Sequence, residues 1–129
     1  MKSISVLFLS LITTLVVSAQ SDISANASAA LQKGDAVALA ACFLPTVELS
    51  LSGTAATISK ADAQALLAGF FKSNPVTSYN SKHQGSSKLD DQFRVGELMT
   101  SNGAYRVTFY IKKQDSAAGI RQIKIEKSN

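Results

Sequence analysis

The second half of this chain sets the narrowest limit on its fold, because from Val76 onward it reads as one short alternating segment after another. Within residues 104–112, Tyr105, Val107, Phe109 and Ile111 fall on one face of an extended chain, and Arg106, Thr108, Tyr110 and Lys112 on the other. That period of two marks a strand with one buried and one wet face. Residues 76–84, 93–100 and 120–127 read as three further strands. Ser101, Asn102 and Gly103 predict a tight hairpin, since Asn-Gly readily takes the positive φ of primed turns. The phase changes between Ile120 and the pair Ile123 and Ile125, which predicts a bulge or bend.

A sheet with one apolar face needs a cover, and the first half supplies it. Ser21 or Asp22 can cap a helix running to about Lys33, with Ile23, Ala27, Ala30 and Leu31 at helical spacing and Gly34 as the left-handed stop. Asp35 caps a second short helix through Val37, Ala40, Ala41 and Leu44, which Pro45 ends. Residues 46–52 alternate as a strand, with Val47, Leu49 and Leu51 on one face, closed by Gly53. Ser59, with Asp62 three residues later, opens a third helix whose stripe is Ala63, Leu66, Leu67, Phe70 and Phe71, ended by Asn74 and Pro75. The expectation is an α+β domain with N-terminal helices packed on a mainly antiparallel sheet, undivided by any linker or repeat.

Ahead of this domain, Lys2 is followed by a run from Ile4 to Val17 broken only by Ser5, Ser10, Thr13 and Thr14, and then by the small residues Ser18 and Ala19. The run is shorter than the roughly 20 apolar residues of a spanning helix. Val17 and Ala19 stand at the two positions a signal peptidase reads. Residues 1–19 therefore predict a cleavable signal peptide, leaving residues 20–129 as one exported domain, periplasmic or extracellular and not membrane-spanning. The absence of a cysteine at the junction closes the lipoprotein route. Without Lys2, twelve basic side chains face nine acidic ones, a net charge of about +3 that serves solubility. No basic cluster interleaves with aromatics, so nucleic acid is not an expected partner. Cys42 is the one cysteine, which excludes an internal disulfide; in the stretch Ala40-Ala41-Cys42-Phe43-Leu44 it reads as a small buried hydrophobe.

The order helix, helix, strand, helix and four antiparallel strands resembles the cone-shaped, cystatin-like fold of nuclear-transport-factor-2-like and ketosteroid-isomerase-like proteins. More narrowly, ADAQALLAGFF at residues 61–71, His83-Gln84-Gly85, Val95-Gly96-Glu97-Leu98 and Asn102-Gly103-Ala104-Tyr105-Arg106-Val107 resemble an uncharacterised family of small exported bacterial proteins in that superfamily. The resemblance implies a curved sheet wrapping the helices around a pocket. It carries no activity, because that family is a domain of unknown function.

His83 is the only histidine, and simple alternation puts Tyr79, Ser81 and Gly85 on its face. It reads either as a strand histidine hydrogen-bonded beneath a helix or loop, or as a general base. With no second histidine, HExxH, CxxC or Ser-His-Asp order, neither a metal site nor a triad is expected, and no cofactor motif appears. Glu48 and Glu97 are isolated strand carboxylates. Glu97 shares a face with Phe93, Val95 and Met99, and is either paired with Arg94, Arg106 or His83 or a pocket base. Ketosteroid-isomerase-like enzymes set a carboxylate base opposite a Tyr and Asp acid pair. Here Asp90 and Asp91 precede a strand and Asp115 lies in a turn, which speaks against isomerase activity. Gly85 and Gly96 read as bends of a curved sheet, and Lys112, Lys113, Lys124 and Lys127 as a solvated edge.

These readings favour a non-catalytic module that binds a small apolar ligand in the cone or an envelope protein partner, with Tyr79, His83 and Tyr105 as candidate ligand contacts. A homodimer through the outward sheet face, where Arg106, Thr108 and Tyr110 would sit, belongs to the same reading. The rival is an enzyme of isomerase, dehydratase or hydrolase type with His83 or Glu97 as its single base and Tyr79 or Tyr105 as donor to an oxyanion.

Overall fold

The computed structural model describes residues 22–86, 92–114 and 117–128; the signal peptide expected at residues 1–19 and the acids Asp90, Asp91 and Asp115 lie outside them. Asp22 caps helix α1 (Ile23–Lys33) by accepting from the Ala25 N–H at 3.2 Å, and Gly34 ends it at φ 63°. Asp35 caps α2 (Ala36–Ala40) through the Ala38 N–H at 3.1 Å. Ser59 caps α3 (Lys60–Ser73) through the Asp62 N–H at 3.1 Å. All three starts follow from a short polar side chain satisfying an otherwise orphaned N–H.

The strands are β1 (Phe43–Leu51), β2 (Thr54–Ser59), β3 (Val76–Ser86), β4 (Gln92–Thr100), β5 (Gly103–Gln114) and β6 (Ala117–Lys127), in one curved sheet of order β2-β1-β6-β5-β4-β3. The β1–β6 pairing is parallel and the rest are antiparallel. Helices cover the inner face. There Leu31, Leu39, Val47, Leu67, Leu98, Val107, Phe109, Ile120, Ile123 and Ile125 are fully buried. The expected sets meet as α3 packs across the sheet, with the Phe70 and Tyr105 rings edge to face at 5.1 Å.

Four details correct the sequence reading. Leu66, assigned to the apolar stripe of α3, is half exposed, because burial on that helix narrows to Ala63, Leu67 and Phe71. The second helix stops at Ala40 rather than at Pro45. Phe43, Leu44 and Pro45 already belong to β1, where the proline sits exposed at a break in register with β6 between Phe43 and Glu48. Strand β2 had no alternating signal, since it is an edge strand exposed along almost its whole length. The pair of positive φ values expected at Asn102-Gly103 occurs instead at Ser52 (50°) and Gly53 (89°), which join β1 to β2. At the β4–β5 turn only Gly103 is positive, at 113°, and Thr100 Oγ1 accepts from the Asn102 N–H at 3.1 Å. The phase change in β6 is a bulge: Tyr110 pairs with Gln122 and Ile111 with Ile120, leaving Arg121 as the extra residue.

Candidate functional site

Directly paired residues of neighbouring strands share a face, so register decides which side chains meet. On the inner face Tyr79, Leu98 and Tyr105 form one row across β3, β4 and β5; Gly96 lies opposite Val107, and Arg94 opposite Phe109. On the outer face Asn80, Glu97, Arg106 and Glu126 form a second row. The register of β3 slips between Ser81, which pairs with Gly96, and His83, which pairs with Val95. Lys82 is the inserted residue. His83 and Gly85 therefore leave the inner face that Tyr79 and Ser81 keep, which overturns the shared face expected from simple alternation.

The consequence for the candidates is plain. His83 is exposed on the outer face, beside Val95 rather than inside the cone. Glu97 is on the same outer face, opposite Arg106. The two line a shallow depression of about 390 Å³ with Lys82, Arg106, Glu126 and Lys127. Further along this face the Phe93 and Tyr110 rings lie 6.3 Å apart, and the Arg121 guanidinium stands 5.2 Å over the Tyr110 ring. Lys124 and Glu126 pair at 3.3 Å with both side chains wet, a contact of small energetic value.

Tyr105 is buried, and its hydroxyl donates to Asn74 Oδ1 at 3.1 Å. Asn102 Nδ2 donates to the same oxygen at 3.1 Å and to the Ser73 carbonyl at 2.7 Å, so the three residues clasp the end of α3 to the β4–β5 turn. Tyr79 differs. Its backbone N–H donates to Gln32 Oε1 of α1 at 2.9 Å, yet its hydroxyl is buried with no hydrogen-bond partner. The ring crosses Gly96, where a Cβ would overlap the hydroxyl; Gly85 likewise makes room for Phe93, whose ring would stand 2.6 Å from a Cβ there. Both glycines are thus sites of close aromatic approach, a use the bend assignment left out. Burial pushes the Tyr79 hydroxyl up to about 12, opposed by the charge of Arg94, and it stays a neutral donor.

Arg94 entered the sequence reading only as a possible partner of Glu97, and that pairing is not made, because Arg94 stands with Gly96, Leu98 and Thr100 on the inner face and Glu97 on the outer one. Its Nε donates to Ser24 Oγ of α1 at 2.8 Å, Nη1 to the Phe93 carbonyl at 3.0 Å and Nη2 to Gln92 Oε1 at 3.3 Å. A second groove of about 360 Å³ runs between α1 and α2, lined by Ile23, Asn26, Ala29, Ala38 and Cys42. Cys42 is buried as expected. Its thiol points at the Ala38 carbonyl at 3.6 Å, and burial raises its pKa. Among the described residues no group of three or more His, Cys, Asp or Glu side chains could hold a metal ion, and no helix is long and apolar enough to cross a membrane.

Residues 24–126 match the family model described as Domain of unknown function (DUF4783). The chain belongs to that family. Two crystal structures of DUF4783 proteins superpose on it closely. The one from Bacteroides ovatus ATCC 8483 is 32% identical, with 81% of this chain and 94% of that chain covered and a TM-score of 0.77. The one from Bacteroides fragilis YCH46 is 30% identical, with 80% and 96% covered and a TM-score of 0.74. A domain of unknown function with a cystatin-like fold from Nostoc punctiforme PCC 73102 is 12% identical at a TM-score of 0.66, covering 83% of this chain and 74% of that one, a likeness of fold alone. No curated protein matches the chain. The DUF4783 match bears out the resemblance drawn from the sequence, and the fold is the α+β, nuclear-transport-factor-2-like and cystatin-like one.

Proposed function

We propose that this DUF4783 protein is an exported, non-catalytic binding module whose working surface is the outer face of the sheet, and that the protein seated there is a second copy of the same chain. The observation that carries the reading is the row Glu97, Arg106, Glu126 on neighbouring strands, negative, positive, negative, beside half-buried Phe93, Val95, Met99 and Tyr110. Strands lie about 4.8 Å apart. A two-fold axis running between β4 and β5 would set each Glu97 over the partner's Arg106, so the face is complementary to itself. Apolar side chains left half wet on one continuous face are the usual material of an interface. The single-base enzyme draws no support from this arrangement, because both of its bases stand on the far side of the sheet from the cone.

Light scattering and crosslinking test the reading. The wild type should be dimeric at about 100 μM and dissociate on dilution. Arg106→Glu should weaken association about tenfold or more by setting like charges together, and adding Glu97→Arg should restore it. A wild type that stays monomeric throughout, or a double exchange that fails to rescue, would reject self-association. Export is tested separately by the intact mass of protein from the cell envelope, which should lack residues 1–19.

A further inference from the structure

The clasp between α3 and the β4–β5 turn is closed by an amide with a chemical liability. Asn102-Gly103 is the only Asn-Gly pair in the sequence, and both residues are exposed. In such a pair the side-chain carbonyl carbon lies within reach of the next backbone nitrogen, and a glycine, with no Cβ, leaves the approach open. Here Gly103 stands at φ 113°, and among the described residues a Cβ built on it would meet only Lys127 Cε, at 3.7 Å.

Hydrogen bonding fixes which end of each amide faces which way. The Phe70 carbonyl can only accept, so Asn74 Nδ2 donates to it at 3.0 Å and leaves Oδ1 facing the β4–β5 turn. That oxygen and the Ser73 carbonyl are both acceptors, and Asn102 Nδ2 donates to them at 3.1 and 2.7 Å. Tyr105 donates to the same Oδ1 from the core. The backbone of the turn is tied down as well: the Asn102 N–H donates to Thr100 Oγ1 at 3.1 Å and the Ser101 N–H to the Pro75 carbonyl at 3.0 Å. The nitrogen that holds the clasp is therefore the one that deamidation expels.

We propose that Asn102 is a modification site, and that its conversion to an acid releases the end of α3 from the hairpin. The Gly103 backbone nitrogen attacks Asn102 Cγ and gives up its proton; as the new N–C bond forms the Cγ–Nδ2 bond breaks, and Nδ2 leaves as ammonia. Water then opens the cyclic imide at either carbonyl, giving aspartate or isoaspartate. Across both steps one water is consumed and one ammonia released, with no oxidant or reductant. In the aspartate a carboxylate oxygen takes the donor's place and faces two acceptors that repel it. In the isoaspartate an extra backbone atom enters the turn formed by Ser101 and Asn102. While the clasp is closed its two acceptors pin the amide toward α3, so the rate of conversion follows the opening of the clasp. The site is independent of the outer sheet face.

Purified protein held in mildly alkaline buffer, native or in urea, and then digested with trypsin, tests the chemistry through the mass of the peptide from Val95 to Arg106. The native sample should show the amide-to-acid mass increase about tenfold or more slowly than the sample in urea. Asn74→Ala, which removes one acceptor, should speed the native reaction severalfold. The Asn102→Asp variant reads the consequence directly. The Asn74 and Ser101 backbone amides, hydrogen-bonded to the Phe70 and Pro75 carbonyls, should lose about tenfold or more of their protection from hydrogen exchange, with β6 unchanged. That loss should shrink as pH falls below about 4, where the protonated acid donates again, whereas Asn102→Ala should loosen the clasp with no such recovery. A native peptide still unmodified when the urea sample has converted fully, or equal rates in the two, would overturn the proposal. So would wild-type protection of Asn74 and Ser101 in Asn102→Asp.

Discussion

Replacing Tyr79 with Phe removes one oxygen atom and nothing else, and the structure gives the sign of the effect. The ring keeps its place over Gly96, and the backbone N–H keeps its bond to Gln32. What disappears is a hydroxyl that is hydrated in the unfolded chain and unpartnered when folded. Leaving such a group buried costs about 1–3 kcal/mol, so the variant should be more stable than the wild type by about that amount, the lower end if the site relaxes. For a domain of this size each 1 kcal/mol raises the melting temperature by roughly 4 °C or more. Urea unfolding followed by circular dichroism reads the change directly, with an unchanged m-value as the sign that the unfolded state is the same. A companion pair isolates the packing. Gly96→Ala should be strongly destabilising in the wild type and nearly harmless beside Tyr79→Ala, which empties the slot. A loss of 1 kcal/mol or more in Tyr79→Phe would mean that the hydroxyl is hydrogen-bonded in solution, and the reasoning from an orphan donor would fail.

Three further outcomes follow from the same structure. Phe109→Ala, at a fully buried position, should cost about 3–5 kcal/mol in urea unfolding. Because burial raises the Tyr79 hydroxyl in the folded state, the unfolded chain loses its proton first; stability is independent of this ionisation below pH ~10 and falls as pH rises toward about 12, a fall that should be absent from the alkaline unfolding profile of Tyr79→Phe. Cys42, buried and raised by desolvation, should resist thiol alkylation at pH ~8 in the native protein and react at once in denaturant; equal rates in both would contradict its placement in the core.

The elements that were legible in the sequence are those whose pattern is local. Asp22, Asp35 and Ser59 cap helices because a side chain and an N–H three residues on are enough to make the motif. Residues 105–111 alternate because a half-buried strand must. Strand β2 was invisible because an edge strand exposed on both faces leaves no periodicity to read. The face of the two candidate bases was not legible: the insertion of Lys82 shifts the phase of β3 without any mark of composition and carries His83 from the cone to the outside, and nothing in β4 marked which of its two faces the helices cover. Tyr79 was named for the cone and Arg94 only as a partner for Glu97, since the side chain that Arg94 meets on α1, Ser24, is seventy residues away in the chain. Only the folded arrangement brings those two together.

The place of β6 in the sheet governs when this protein can become itself. The last strand in chain order lies between β1 and β5, so until it arrives the β1–β2 hairpin has no neighbour on its open side and the three-stranded unit β3–β4–β5 ends in a bare edge. Pairing across that gap joins residues 48–51 to residues 122–125, the longest-range pairing in the sheet and one that closes late. A chain still being synthesised therefore has two unfinished halves and no completed core. Putting the keystone strand late keeps the growing polypeptide from closing its core until β6 has been made.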